Sequence, residues 1–419
     1  MKAWERKSYG IRTKIRRKGN DKGMNTQEII DTTEQYYLPV FGRAPIALEH
    51  GEGCYLYDAD GNKYLDGFAG IAVNALGYNH PAVVKAVQEQ AGKIMHVSNL
   101  FYTEIQAKAA KQLCEVTGFD RVFFANSGAE ANEGAIKLAL KYGVKKDPKK
   151  VKIITAKASF HGRTMETLTA TGQEHYHEGL GPLTDVFSYV PYGDSDALVA
   201  QMDDTVCGVL LEPIQGEGGV HVPPEGYLQK VRELCDKHDA LLIFDEVQTG
   251  VCRTGYWFAY MHSGVKPDVM TLAKAIGCGF PMGAFVVTER LAHVFAPGDH
   301  GSTFGGNALA CAACYAAIHA MKDMALDKQA AQTGAYLQKG LQALQKKYPD
   351  KVKDVRGMGL LQGMELTKPG SALVTEGLKK GLILNCTAGT VLRFAPPLII
   401  TQAQIDELLK GLDALLAAF

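Results

Sequence analysis

The chain has 419 residues, 46% of them apolar and 21% charged, an ordinary globular composition with material for two or three domains at roughly 150 residues each. Basic and acidic residues number 45 each, but residues 1–24 hold nine Lys/Arg against Glu5 and Asp21, leaving the rest of the chain at a net −7. A body of that sign has no bulk electrostatic attraction for nucleic acid, and no apolar stretch reaches the roughly 18 residues of a membrane span.

In chain order, the basic head "MKAWERKSYGIRTKIRRKGNDKG" has neither the serine content nor the amphipathic stripe of a transit presequence. It reads as a basic arm or, the preferred reading, as translated sequence upstream of a start at Met24. Residues 25–75 are expected to join a small domain, 76–320 to form a large domain and 321–419 the small one. In the large domain "RVFFAN" precedes the helical "AEANEGAIKLALKYG", and "KIITA", "GVLLEP", "ALLIFDE", "DVMTLAK" and "GAFVVT" follow at intervals. Short apolar runs alternating with helices predict an α/β fold whose mostly parallel sheet is covered on both faces.

"CAAC", Cys311 to Cys314, has redox spacing but lies in "NALACAACYAAIHAM", where small residues at helical spacing predict close packing. Nine scattered cysteines suit a reducing cytosol better than a disulfide framework. The last hundred residues read as a small α+β domain. "VKDVRGMGLLQGMEL" and "TVLRFAPPLI" predict strands, and Thr401 with Gln404 predicts a capping box opening a helix with an apolar stripe from Ile405 to Leu416.

In parallel sheets the chemistry gathers beyond the carboxyl ends of the strands. "LLEP" leaves Glu212 there, "LLIFDEVQTG" leaves Asp245, Glu246 and Gln248, and "VMTLAK" leaves Lys274 among small neighbours. A desolvated lysine loses its proton more readily, and its free amine forms Schiff bases. Buried Asp245 needs a cation, and a protonated pyridine nitrogen would serve. Together these point to pyridoxal phosphate. Ser127, Gly128 and Ala129, where a strand turns into a helix, offer backbone N–H groups to its phosphate; a plain N-cap explains them equally well. Arg163 follows Phe160 in "SFHGRT", and Arg393 lies in "VLRFAPP"; arginine suits bidentate carboxylate recognition. No metal site is expected.

"NSGAEANEGAIKLA", "FHGRT", "EPIQGEGG", "FDEVQTGVCRTG", "TLAKAIGCGFPMGA" and "STFGGN" resemble, in order and spacing, the class-III pyridoxal-phosphate aminotransferases, over about residues 36–419. "FAGIAVNALGYNHP", "SNLFYTE" and "LRFAPPLIIT" are most similar to the branch that takes N-acetylornithine as amino donor. The resemblance implies the fold type I of pyridoxal-phosphate transferases, a cytoplasmic homodimer with shared active sites, and transfer of a terminal amine to 2-oxoglutarate in arginine synthesis. It gives Lys274 the covalent hold on the cofactor and Asp245 the ring nitrogen. Gln248 would contact the phenolic oxygen and Phe160 would stack on the ring. Ser127, Gly128, Ala129, Glu212, Glu246 and Val247 complete the cofactor contacts. Ser302 and Thr303 would reach in from the second subunit, Thr303 to the phosphate and Ser302 towards substrate. Arg163 would take the distal carboxylate of both substrates and Arg393 the proximal carboxylate of glutamate, masked by Glu217 in the other half-reaction.

Three positions depart from the family: Ala308 stands where proline is usual, Ala129 where threonine is frequent, and "PVFGRAPIALEHGEG" lacks the tyrosine of ornithine aminotransferases. Succinylornithine, succinyl-diaminopimelate, ornithine and 4-aminobutyrate remain alternative donors, because one methylene is worth only roughly 1–3 kcal/mol of discrimination. An aminomutase on the same fold would keep the lysine and aspartate without needing the Glu217/Arg393 pair.

Overall fold

The computed structural model describes residues 23–419, so the basic head lies outside the described residues as far as residue 22. A seven-stranded sheet forms the large domain, in the spatial order Arg121–Ala125, Gly283–Val287, Val269–Leu272, Leu241–Asp245, Val206–Leu211, Lys152–Ala156 and Phe187–Val190. The last five of these run parallel. Gly283–Val287 is antiparallel to both of its neighbours. Alternate residues enter opposite cores. Leu242 and Phe244 join the core on one face, Leu241 and Ile243 the core on the other. That is why these strands read as unbroken apolar runs rather than as half-buried alternation.

Helix Gly128–Val144 lies against one face with Ala131, Ala135, Ile136, Leu138 and Ala139 buried. Its Gly134 is needed for the approach: a Cβ there would come within 2.3 Å of the Phe285 ring. On the other face helices Pro81–Ala91 and Glu104–Thr117 pack on Ala308–Asp323, which holds Cys311 and Cys314 buried and free. Small residues in "CAAC" therefore serve close packing. Asn307 caps that helix by accepting from Ala310 N–H, so the missing proline at Ala308 leaves a sound helix start. The helix runs past the expected domain boundary at residue 320 to Asp323 and bends by 67° into Leu326–Lys347.

The C-terminal unit is an antiparallel sheet in the order Val352–Met358, Leu361–Leu366, Val391–Phe394, Asn385–Thr387. Helix Gln402–Ala418 opens with the capping box of Thr401 and Gln404 and buries Ile405, Leu408, Leu412, Leu415 and Leu416. Strands Leu48–Glu52, Tyr55–Asp58 and Lys63–Asp66 form an antiparallel meander, and Lys63–Asp66 pairs in parallel with Leu382–Ile383. The N-terminal segment thus shares a sheet with the C-terminal unit. Among the described residues no single helix is long and apolar enough to cross a membrane.

Candidate active site

A cavity of about 410 Å³ opens at the carboxyl edge of the parallel strands. Asp245 is the last residue of its strand, Glu212 follows Leu211, and Lys274 stands two residues beyond Leu272. All three line the cavity, as do Ser127, Gly128, Ala129, Phe160, Arg163, Val247 and Gln248. Residues far apart in sequence meet here because parallel strands end at one edge.

Asp245 is buried and held from several sides. Its Oδ2 accepts from Asn132 Nδ2 at 2.7 Å and lies 2.9 Å from His161 Nδ1, while Oδ1 accepts from Val247 N–H at 3.0 Å. Asn132 is fixed in turn by donating to His161 O at 2.7 Å and accepting from Thr271 Oγ1 at 2.7 Å. Asn132, His161 and Thr271 were not legible as site residues; a polar Asn132 on the buried face of an apolar helix was the available signal. With one donor only, Oδ1 retains capacity for another.

Lys274 has φ +50°, a left-handed backbone that costs a non-glycine residue free energy and recurs at functional sites. Burial, and next the nearby Arg393, lower its ammonium pKa to about 8, against the opposing pull of Asp245, Glu217 and Glu212. A fraction of the amine is therefore free at neutral pH. The sign gives an expected result: the rate at which apoenzyme captures pyridoxal phosphate should climb from pH 6 to about 8 and level off above. Stopped-flow absorbance across pH would check this, and a rate still climbing at pH 10 would contradict the lowered value.

Ser127 caps helix Gly128–Val144, its Oγ accepting from Glu130 N–H at 3.2 Å. The first-turn N–H groups of Gly128 and Ala129 lack intrahelical acceptors and carry the positive end of the helix dipole. A Cβ on Gly128 would stand 2.8 Å from Val247 Cγ1, so glycine keeps that backbone close to the cavity wall. Glu212 accepts from Phe160 N–H and Gly216 N–H, each at 3.1 Å, and burial raises its carboxyl pKa to about 7. It ties the loop bearing Phe160 and Arg163 to the loop bearing Glu217.

Glu246, expected among the cofactor contacts, faces away. Strand alternation carried one residue past Asp245 turns it to the opposite side, where its carboxylate accepts from Thr249 Oγ1, Ala259 N–H and Tyr260 N–H. Burial raises its pKa to about 7.

Arg393 and Glu217 meet beside the cavity, Nη1 to Oε2 at 2.7 Å, with the Arg393 side chain 1% exposed and that of Glu217 28%. Gln248 Oε1 and Asn385 Oδ1 also accept from Arg393, at 3.1 and 3.0 Å. Arg163 is exposed to the cavity, its Cζ lying 3.8 Å from the Tyr176 ring centroid. Neither Ser302 nor Thr303 lines this cavity. Ser302 Oγ accepts from Gly305 N–H at 2.9 Å and from Asn126 Nδ2 at 3.2 Å.

The donor set fits pyridoxal phosphate. A helix start with free N–H groups faces the same space as a lysine of lowered pKa, an aromatic ring and an aspartate with an acceptor to spare. The profile of the aminotransferase class-III family matches residues 39–416, and the chain belongs to that family. It is a pyridoxal-phosphate-dependent aminotransferase. Among curated relatives, the acetylornithine aminotransferase of Caldanaerobacter subterraneus is 51% identical over 93% of this chain and 99% of its own length. Among solved structures, the ornithine aminotransferase of Toxoplasma gondii superposes with a TM-score of 0.91 at 33% identity, covering 96% of this chain and 99% of that one. The acetylornithine aminotransferase of Elizabethkingia anophelis gives 0.85 at 34% identity, over 95% and 100%.

Proposed function

We infer that the enzyme moves the terminal amine of N2-acetyl-L-ornithine to 2-oxoglutarate, giving N-acetyl-L-glutamate 5-semialdehyde and L-glutamate, a step towards arginine. The observation that carries this reading is the Glu217–Arg393 pair at 2.7 Å beside the cavity, with Arg163, which lines the cavity, making no ion pair among the described residues. A donor reacting at its terminal amine keeps its carboxylate far from the reacting carbon. Glutamate and 2-oxoglutarate bring one carboxylate beside that carbon and one far off. Arg163 serves the distal carboxylate throughout. Arg393 serves the proximal one only when Glu217 releases it, and Glu217 otherwise neutralises a buried cation. The 51% identity to a curated acetylornithine aminotransferase favours the acylated donor over free ornithine, although an ornithine enzyme has the higher TM-score. Fold likeness does not rank substrates.

When bound, the cofactor supplies an electron sink for the substrate carbon as its proton leaves. Lys274 Nζ would hold the cofactor's aldehyde and, once substrate displaces it, would carry that proton from the substrate carbon to the cofactor. Asp245 would keep the ring nitrogen protonated, and the bonds from Asn132 and Val247 keep its carboxylate in place. Gly128 and Ala129 N–H groups would bind its phosphate, Phe160 and Val247 would contact its ring, and Gln248 would reach its phenolic oxygen.

The active unit is a homodimer. Leu100, Phe101, Tyr102 and Phe304 are all more than half exposed, and Asn99 Nδ2 ties their two segments together by donating to Ser302 O and Gly305 O. Such an apolar patch suits a second copy, whose Ser302 and Thr303 complete the phosphate and substrate contacts. A sedimentation mass near the 45.4 kDa of one chain would exclude the dimer. Nine free cysteines support a cytoplasmic location; recovery of the enzyme from a fractionated cell's exterior would overturn it.

The test of the substrate is a single half-reaction without keto acid. N-acetylornithine should abolish the absorbance of the lysine-bound cofactor faster than succinyl-diaminopimelate, ornithine or 4-aminobutyrate, and 2-oxoglutarate should restore it. Faster loss with another amine would move the enzyme to a different donor.

A further inference from the structure

Tyr176 has no role in the scheme above. It ends the short turn Glu174–Tyr176, half-buried, with the Arg163 guanidinium over its ring, 3.8 Å from Cζ to centroid. Phe160 meets the same ring edge-on, with centroids 5.9 Å apart and planes at 74°. The Phe160 ring itself is 5.8 Å from Arg163 Cζ. Among the described residues Arg163 makes no ion pair or hydrogen bond.

We propose that Tyr176 is the positioning residue for distal-carboxylate recognition: its ring fixes Arg163 while leaving every guanidinium N–H available to substrate. This rests on the assignment of Arg163 to the distal carboxylate. An arginine fixed by an acidic partner would spend its donors on that partner, and an unsupported one would sample many rotamers. Stacking on an aromatic face holds the guanidinium through its π surface and leaves its in-plane donors free for a bidentate carboxylate. Because Phe160 packs against the same ring, Tyr176 also sets the distance between the cofactor's stacking residue and the arginine. One tyrosine thereby couples where the cofactor lies to where the far end of the substrate is caught.

The experiment compares 2-oxoglutarate with pyruvate, which lacks the distal carboxylate, as amino acceptors for the holoenzyme and its Y176L, Y176F, R163A and R163A/Y176L variants. Y176L should lower kcat/KM for 2-oxoglutarate about tenfold, mainly through KM, and so lower the 2-oxoglutarate-to-pyruvate ratio. Y176F keeps the ring and should keep the ratio. R163A should lower the ratio further, and the double variant should be no lower than R163A, since both changes remove one interaction. If Y176L fails to retain cofactor, Y176Q on the same half-exposed turn carries the comparison. An unchanged ratio in the Tyr176 variant beside a collapsed ratio in R163A would overturn the positioning role alone. An unchanged ratio in R163A would instead remove the carboxylate assignment beneath it. Equal losses for both acceptors, or Y176F behaving as Y176L, would also overturn it.

Discussion

Replacing Lys274 by alanine is expected to lower turnover by at least about 10³-fold, the range in which a positioned proton carrier contributes, and to remove the absorbance of the lysine-bound cofactor. Two roles would be lost together, because on the proposed assignment the same Nζ holds the aldehyde and carries the proton. Asp245 cannot substitute, since its oxygens are engaged by Asn132, His161 and Val247 and its proposed place is at the ring nitrogen. Nor can Arg393, whose guanidinium is engaged by Glu217, Gln248 and Asn385. The fold should survive the change. Lys274 sits on a strained left-handed backbone at the cavity wall, and losing a desolvated amine relieves rather than breaks the packing. Steady-state transamination by K274A at more than a hundredth of the parent rate would refute the assignment.

Glu217→Ala should change selectivity instead of abolishing activity. The Arg393 side chain is 1% exposed, and without Glu217 its charge is met, among the described residues, by the neutral oxygens of Gln248 and Asn385 and by the Phe68 ring. An uncompensated buried cation attracts whatever anion can enter. Amino acids with a carboxylate beside the reacting carbon should therefore compete better against N-acetylornithine, by about 10- to 100-fold in the ratio of kcat/KM values, or roughly 1.4–2.8 kcal/mol. Half-reaction rates with glutamate, alanine and N-acetylornithine give that ratio directly. Unchanged partitioning would sink the switch while leaving the rest of the site intact.

The lysine, the aspartate and the helix start could be read from the chain because each follows an apolar run, and a strand end is visible as the point where such a run stops. Six of the seven large-sheet strands were legible for the same reason. Phe187–Val190 was not, since this edge strand has only four residues, two of them only partly buried. The antiparallel direction of Gly283–Val287 leaves no mark in composition. The Glu246 side chain turns away from the cavity because adjacency in sequence to Asp245 does not mean sharing its face. Tyr176 was invisible for a different reason: its significance lies in a ring contact with Arg163, thirteen residues earlier, across the short helix Met165–Ala170 and the turn that follows it.

The parallel pairing of Leu382 and Ile383 with Leu65 and Asp66 has a consequence for synthesis. A nascent chain emerging at roughly 5–20 residues per second exposes the N-terminal meander for tens of seconds before its edge partner leaves the ribosome. Unpaired edges of that kind invite wrong partners. Asp58 keeps the meander's turn closed meanwhile, accepting from Asp60 N–H, Asn62 N–H and Tyr64 OH. The strand that carries Arg393 is translated later still, so the large domain can complete its lysine and aspartate pocket well before the arginine proposed to read the proximal carboxylate has been made.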